Sequence, residues 1–247
     1  MKIIISPAKR MVMDLDGIEV LGLPKFYSEA KELRNYLKTL AYDELKNLWQ
    51  CNDKITIENI ERLEKLKLEG PLTPAVLAYD GIAYKNMAPS VFTYNEWEYI
   101  DKNLFILSGL YGALKPREGV IPYRLEMQAK ISLNGLNSLY EYWQDKIYNR
   151  VIEEDNIIIN LASKEYSDII KPYIKDDVKM IDIVFAERKN NKLITKPTEA
   201  KANRGAMVRY MAENNITNIE EIKKYNLNNY KYSKEESNDI TFVFIKG

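Results

Sequence analysis

Three short apolar segments of this chain each lead into a serine and then into ionisable side chains. The segments and their serines are 2–5 with Ser6, 104–107 with Ser108, and 156–161 with Ser163. Apolar runs of about four to eight residues are typical of strands that are buried on both faces of a sheet. Because ligands of open α/β sheets bind beyond the carboxyl ends of the strands, we expect the three polar loops to surround one site.

The remaining sequence alternates helical and strand patterns. Residues 136–153 and 199–213 predict helices, and the apolar C-terminal tail predicts a last strand. The segments on either side of the polar turn 188–191 predict an antiparallel hairpin at about 178–197. We therefore predict a single domain over residues 1–247 with an α/β fold that leans towards α+β. In this fold, helices shield a central mixed sheet.

The chain has no histidine and one cysteine, which excludes many kinds of site. Without histidine there is no Ser-His-Asp triad, no Cys-His pair and no histidine-based zinc site. A single cysteine also excludes a cysteine zinc cluster or an iron–sulfur cluster within one chain. Walker A and dinucleotide-binding glycine motifs are absent. A magnesium site built from carboxylates stays open, although no Asp-x-Asp cluster indicates one. We therefore predict no metal and no cofactor, and any acid–base catalysis must use lysine, tyrosine, aspartate or glutamate.

The sequence carries no signal for a membrane or for secretion. No apolar run approaches the roughly 18 residues that a membrane-spanning helix needs. The N-terminus begins directly with a strand pattern, without a basic segment followed by an apolar one. Cys51 has no second cysteine with which to form a disulfide, so we expect a structural thiol. These features predict a cytoplasmic, soluble protein that contacts no membrane and needs no obligate protein partner.

Positive charge is concentrated in the polar loops, although the net charge of the whole chain is zero. Residues 1–11 and 196–211 each carry +3, residues 103–133 carry +2 and residues 160–175 carry +1, which amounts to +9. If these segments converge, a neutral protein acquires a basic cleft on a weakly acidic body. Clustered charge of one sign attracts polyanions, and net charge does not show it.

Five motifs, in the same order along the chain, resemble those of the bacterial peroxide-stress protein YaaA family, a family formerly of unknown function. The motifs are Ser6-Pro7-Ala8-Lys9, Leu107-Ser108-Gly109-Leu110-Tyr111-Gly112, Pro122-Tyr123-Arg124-Leu125-Glu126-Met127, Asn160-Leu161-Ala162-Ser163 with Glu165-Tyr166, and Arg204-Gly205 with Met207 and Arg209. They extend over the whole chain, so the resemblance covers one complete family member. Arg10 and Glu118 stand where the family usually has threonine and aspartate.

The resemblance implies binding of duplex or branched DNA, without sequence preference, in a positively charged cleft. It also implies protection against hydrogen peroxide, linked to DNA damage and repair and to limiting intracellular iron. Residues 107–112 are in addition similar to a helix-hairpin-helix turn, in which glycines offer N–H groups to phosphates. The residues predicted to contact DNA are Lys9, Arg10, Gly109, Gly112, Lys115, Arg117, Arg124, Lys164, Lys201, Arg204 and Arg209.

The alternative is an enzyme of unidentified chemistry that acts on a nucleotide or nucleic-acid substrate, and whether the protein is an enzyme stays open. The motifs hold more carboxylates, hydroxyls and amines than phosphate binding needs, and such groups serve in acid–base catalysis. Glu126 and Glu165 repel phosphate unless each pairs with a base, although Arg124 and Glu126 could also belong to a buried ion pair. The candidate catalytic residues are Lys9, Ser108, Tyr111, Glu126, Ser163, Glu165 and Tyr166.

Overall fold

The computed structural model describes residues 1–15, 17–153, 155–190 and 192–247. Its helices are α1 (Tyr27–Thr39), α2 (Tyr42–Trp49), α3 (Asp53–Lys65), α4 (Ala75–Ala78), α5 (Ile82–Met87), α6 (Tyr94–Asn103), α7 (Leu139–Trp143), α8 (Lys146–Val151), α9 (Lys164–Ser167), α10 (Pro197–Glu213) and α11 (Ile219–Ile222). Its strands are β1 (Lys2–Ile5), β2 (Thr73–Pro74), β3 (Leu104–Ser108), β4 (Gly112–Leu114), β5 (Gly119–Val120), β6 (Ile157–Leu161), β7 (Lys179–Lys189), β8 (Lys192–Ile194), β9 (Tyr230–Tyr232) and β10 (Thr241–Lys246).

Parallel strands form the centre of the main sheet, in the order β3-β1-β6-β7-β10. Three antiparallel pairings are added to it, of β4 with β3, β8 with β7 and β9 with β10. Strands β2 and β5 form a separate two-stranded ladder. The predicted α/β fold with a central mixed sheet is therefore confirmed.

The apolar sequence of β1 follows from its place in the middle of the sheet. Ile3 lies opposite Leu104 of β3 on one side and opposite Ile159 of β6 on the other. Successive side chains of a strand point to opposite faces, and Ile3, Ile4 and Ile5 are all buried, so both faces of β1 are covered. Each such side chain contributes about 1.5–3 kcal/mol to folding through its burial. Since β1, β3 and β6 are parallel, their carboxyl ends lie at the same edge of the sheet.

The predicted antiparallel hairpin is confirmed between β7 and β8, where Glu187 lies opposite Ile194 and Lys189 opposite Lys192. Of the predicted turn 188–191, Asn191 lies outside the described residues.

The single helix predicted over residues 136–153 is wrong, because the chain forms the two helices α7 and α8 there. Gln144 ends α7 with φ 47° and ψ −131°, a conformation that no helix contains. The indole N–H of Trp143 donates to the carbonyl oxygen of Gly109 at 2.9 Å, which holds the end of α7 against the turn after β3. Within the described ranges, none of the helices is long and apolar enough to cross a membrane.

Candidate functional site

A cavity of about 400 Å³ opens at the carboxyl ends of β1 and β6. Ile5 and Leu161, the last residues of these two strands, line it together with residues 123–126 and the first turn of α5. Lys201 and Arg204 line it from α10. The cavity thus lies at the sheet edge where ligands of α/β proteins bind.

Many of the residues that the sequence singles out line this one cavity. They are Lys9, Arg10, Arg124, Glu126, Ser163, Glu165, Tyr166, Lys201 and Arg204. Two loops that follow parallel strands, the segment 123–126 and the helix α10 contribute to this set, so positive charge from separate parts of the chain converges there. The structure therefore brings together the loops after β1 and β6, whereas the loop directly after β3, which the strand pattern also predicts at the site, does not line the cavity.

The other singled-out residues lie elsewhere. Gly109 is buried in the turn between β3 and β4, and Gly112 is the buried first residue of β4. An ideal Cβ on Gly109 would lie 2.4 Å from the carbonyl oxygen of Leu125. Their backbone N–H groups are thus covered by protein. Strands flank this turn on both sides, so the predicted similarity to a helix-hairpin-helix turn is wrong.

Four of the predicted cationic contacts also lie outside the cavity lining. Lys115 and Lys164 are exposed on the surface. Arg117 forms an ion pair with Asp101, and Arg209 pairs with Glu213 one helical turn away at 2.6 Å. None of these four side chains therefore adds to the charge that faces the cavity.

Ser108 and Tyr111 stand behind the cavity wall, where they support Tyr123. The backbone N–H of Tyr111 donates to Ser108 Oγ at 2.9 Å, and Ser108 Oγ lies 2.6 Å from the hydroxyl of Tyr123. That hydroxyl lies 2.8 Å from the hydroxyl of Tyr79. Burial raises the pKa of Tyr123 to about 12, so its phenol is neutral at physiological pH. Tyr123 itself lines the cavity.

Glu126 forms two ion pairs inside the cavity. Its Oε1 accepts a hydrogen bond from Arg124 Nη2 at 2.8 Å, and its Oε2 lies 2.9 Å from Lys9 Nζ. The side chains of Arg124 and Glu126 are 9% and 16% exposed, whereas that of Lys9 is 67% exposed. The carboxylate of Glu126 is thus neutralised by two cations, and this arrangement matches a structural brace better than a free general base.

Glu165 has a different environment. Its Oε1 accepts a hydrogen bond from the backbone N–H of Gln128 at 3.3 Å, and no cationic side chain of the described residues pairs with it. Burial, followed by the charge of Glu126, raises the pKa of this carboxyl group, and two backbone N–H groups and the charge of Lys9 only partly offset the rise. A half-buried carboxyl group with a raised pKa can exchange a proton or accept a hydrogen bond from a ligand.

Two serines tie the ends of β1 and β6 together. The backbone N–H of Ser163 donates to Ser6 Oγ at 2.8 Å, and Ser6 Oγ donates to Ser163 Oγ at 3.2 Å. The hydroxyl of Tyr84 on α5 donates to the carbonyl oxygen of Ser6 at 3.0 Å. Ser163 Oγ therefore accepts one hydrogen bond within the protein and keeps its own proton for a ligand.

The position of Arg204 depends on a close crossing of α10 and α5. An ideal Cβ on Gly205 would lie 1.8 Å from the carbonyl oxygen of Ala83, so only glycine permits this approach. The Nε atom of the neighbouring Arg204 is buried without a hydrogen-bond partner, and burial lowers the pKa of its guanidinium group. The Nε atom of Arg124 is likewise buried and unpartnered.

Sequence reasoning missed some residues of this cavity. Asp80 lines it and pairs with Arg10 at 2.9 Å and with Lys85 at 3.2 Å. Tyr84 supports the loop after β1. Neither residue belongs to a strand-and-serine motif, and their place depends on the packing of α5 against α10. Ser6 and Tyr123, in contrast, belong to two of the five motifs found in the sequence, at residues 6–9 and 122–127.

No cluster of three or more histidine, cysteine, aspartate or glutamate side chains suited to a metal ion occurs in the part of the chain that the structure describes.

Comparison with known proteins agrees with these motifs. The family model described as peroxide stress protein YaaA matches residues 1–236. A UPF0246 protein of Lachnoclostridium phytofermentans is 48% identical over 247 residues, which is 100% of this chain and 97% of that protein. A UPF0246 protein of Agathobacter rectalis is 51% identical over 244 residues, with 99% and 98% of the two chains covered. A UPF0246 protein of Ligilactobacillus salivarius is 48% identical over 246 residues, with both chains covered to 100%. This chain therefore belongs to the peroxide stress protein YaaA family.

Proposed function

We propose that this protein binds DNA, duplex or branched, in the bacterial cytoplasm during peroxide stress, and that it holds the phosphates without reading the sequence. The family to which the chain belongs supports the link to peroxide. The cavity supports the binding, because Lys9, Arg124, Lys201 and Arg204 converge there in a chain of zero net charge. Local positive charge of this kind attracts a polyanion.

The main support for the proposal is that the guanidinium group of Arg204 lacks a partner among the described residues. Its side chain forms no hydrogen bond and no ion pair with any described residue, and its Nε atom is buried. Asp182 attracts it only at a distance. A cation with a buried donor that has no acceptor is costly, and a phosphate group would supply the missing hydrogen-bond acceptors. Arginine is well suited to this task because its planar group binds phosphate through two donors.

A groove next to the cavity extends the path that a nucleic-acid backbone could follow. The groove measures about 1220 Å³ and shares Lys9, Arg10 and Arg124 with the cavity. On its far side, Arg62 of α3 pairs with Glu58 at 2.5 Å. The shared residues make the cavity and the groove one continuous basic surface.

Salt dependence of binding tests the proposal. Each lost phosphate contact lowers the magnitude of the slope of log affinity against log salt concentration by about 0.9. The slope of the variant Lys201→Ala/Arg204→Ala should therefore be smaller in magnitude by about 1.8. The matched control is Lys192→Ala/Lys234→Ala, which removes two exposed lysines that do not line the cavity. Fluorescence anisotropy with a labelled duplex at several salt concentrations gives both slopes.

Equal slopes for the two double variants would refute the proposal. Arg204 is partly buried, so its replacement could prevent folding of the double variant. The single variant Lys201→Ala keeps the proposal testable in that case. Lys201 is exposed, and its loss alone should lower the slope by about 0.9. Far-UV circular dichroism of each variant confirms that the chain is folded.

One observation favours the enzyme alternative as a second candidate. Glu165 has a raised pKa and no cationic partner, and it lines the cavity together with Tyr166 and Ser163. Such a group is suited to proton transfer on a bound nucleotide. The test is survival of peroxide by a strain that lacks the gene and carries Glu165→Gln. If the variant is folded and binds DNA with unchanged affinity but the strain dies, catalysis by Glu165 is favoured. If the strain survives fully, DNA binding is the only function that remains proposed.

A further inference from the structure

We infer that the cavity holds a single nucleotide unit, with its phosphate at Arg204 and Lys201 and the amino group of its base at Glu165. This inference rests on the proposed function, because it uses the same cationic surface for the phosphate. It goes beyond the proposed function in two respects: one nucleotide occupies the cavity, and Glu165 recognises the amino group of its base.

The size of the cavity excludes a duplex and admits one nucleotide. At about 400 Å³ it falls within the range of roughly 300–1,000 Å³ that is typical of small-molecule sites. A base of a double strand can reach such a cavity only if it leaves the stack, as it does in proteins that extrude a nucleotide. A free nucleotide or an unpaired one fits without this cost.

The lining of the cavity is mainly apolar, with polar groups at a few points. The side chains of Ile5, Pro7, Ile82 and Leu161 provide apolar, uncharged surface against which a base can pack. A largely apolar pocket with a few convergent polar groups is the usual form of a site for an organic ligand. A site for phosphate alone would not need these apolar walls.

The charges of the cavity divide into a cationic part and an anionic part. Glu126 pairs with Lys9 and Arg124, and Asp80 pairs with Arg10 and Lys85. Among the described residues that line the cavity, Glu165 is therefore the carboxylate without an ion pair, although Lys9 attracts it from a distance. Glu165 and Arg204 line the same cavity but form no ion pair with each other. A phosphate is repelled by Glu165 and attracted by Arg204, which orients the nucleotide. Adenine, cytosine and guanine each carry an amino group that can donate to a carboxylate.

Two measurements test the inference on the full-length protein. The first is calorimetric titration with guanosine monophosphate and inosine monophosphate, which differ only in the amino group of the base. Because a hydrogen bond to a charged group is lost, the guanine nucleotide should bind roughly tenfold to hundredfold more tightly. Glu165→Gln should reduce this preference to a few-fold, whereas Glu98→Gln, an exposed glutamate on α6 outside the cavity, should keep it.

The second measurement uses a labelled duplex that contains one unpaired 2-aminopurine. Anisotropy of the label reports DNA binding, and emission of the 2-aminopurine rises when that base leaves the stack. We expect both signals to change with the intact protein. Ile82→Trp places a larger ring system at the exposed edge of the cavity without removing a cationic or hydrogen-bonding group, so it should keep the anisotropy change and lose the rise in emission.

The outcomes separate the inference from the proposed function. Binding of the duplex without a rise in emission and without nucleotide binding would overturn the inference and leave the proposed function intact. Equal affinity for the guanine and inosine nucleotides would overturn the role of Glu165. Nucleotide binding by a protein that does not bind the duplex would refute the proposed function and assign the cavity to free nucleotides.

Discussion

Replacement of Glu126 by glutamine should lower stability and strengthen DNA binding at the same time. Removal of one partner of a buried ion pair typically costs about 3–5 kcal/mol, because the other charge stays buried and unpaired. Glutamine keeps a carbonyl oxygen for Arg124, whose side chain is only 9% exposed, so we expect a loss of about 2 kcal/mol in the free energy of unfolding. Loss of the exposed ion pair between Glu126 and Lys9 adds less than about 1 kcal/mol to this destabilisation.

Thermal and urea unfolding measure this loss. For a chain of this length, about 2 kcal/mol corresponds to a fall of about 4–8 °C in Tm. Glu118→Gln is the matched comparison, because Glu118 forms a similarly buried ion pair with Arg150 away from the cavity. Both variants should lose stability, whereas only Glu126→Gln should gain DNA affinity, since it removes a negative charge beside the phosphate path. If Glu126→Gln is as stable as Glu98→Gln, an exposed replacement, the brace that we assign to Glu126 does not exist.

Three further predictions concern other residues. Gly205→Ala should lower the free energy of unfolding by more than about 3 kcal/mol, since the new Cβ cannot lie 1.8 Å from a carbonyl oxygen. The control Ala202→Gly on the same helix should lower it by only about 1 kcal/mol. Equal losses would contradict the close crossing of α10 and α5. Burial raises the pKa of Glu165, so the native state binds this proton more tightly than the unfolded chain does, and stability falls as pH rises from the ordinary carboxyl pKa through the raised one. Glu165→Gln should therefore show a smaller fall as pH rises above the ordinary carboxyl pKa of about 4 than the unchanged protein does, and an identical pH profile would refute the assignment. Ser108→Ala should cost about 1–3 kcal/mol in urea unfolding, because a buried backbone N–H loses its acceptor, and a neutral result would show that the N–H has another partner.

The apolar runs of β1 and β6 were sufficient to predict where the cavity lies, because burial on both faces of a strand requires a continuous apolar run. β1 and β6 are such runs, and the residues that follow them in sequence line the cavity. The sequence also predicts the hairpin of β7 and β8 from its polar turn. These features depend on neighbours along the chain, which a sequence shows directly.

The third strand shows what the sequence does not reveal. β3 has the same apolar pattern and ends at Ser108, but the chain turns back at once and pairs as β4, so Ser108 and Tyr111 become buried. The turn packs against the carbonyl oxygen of Leu125, a contact between residues far apart in sequence. A serine at the end of a strand therefore predicts a polar position without showing whether it faces a ligand or the protein interior.

The unequal exposure of the two cations at Glu126 suggests how the site responds to a phosphate. Arg124 is held in the protein interior and keeps Glu126 in place whether or not a ligand is bound. Lys9, with 67% of its side chain exposed, loses little when it leaves the carboxylate, because exposed ion pairs contribute less than about 1 kcal/mol. We therefore expect Lys9 to exchange Glu126 for a phosphate oxygen on binding. Glu126 then holds a lysine near the ligand path in the free protein and releases it at low cost, so a carboxylate inside a basic cavity is compatible with phosphate binding.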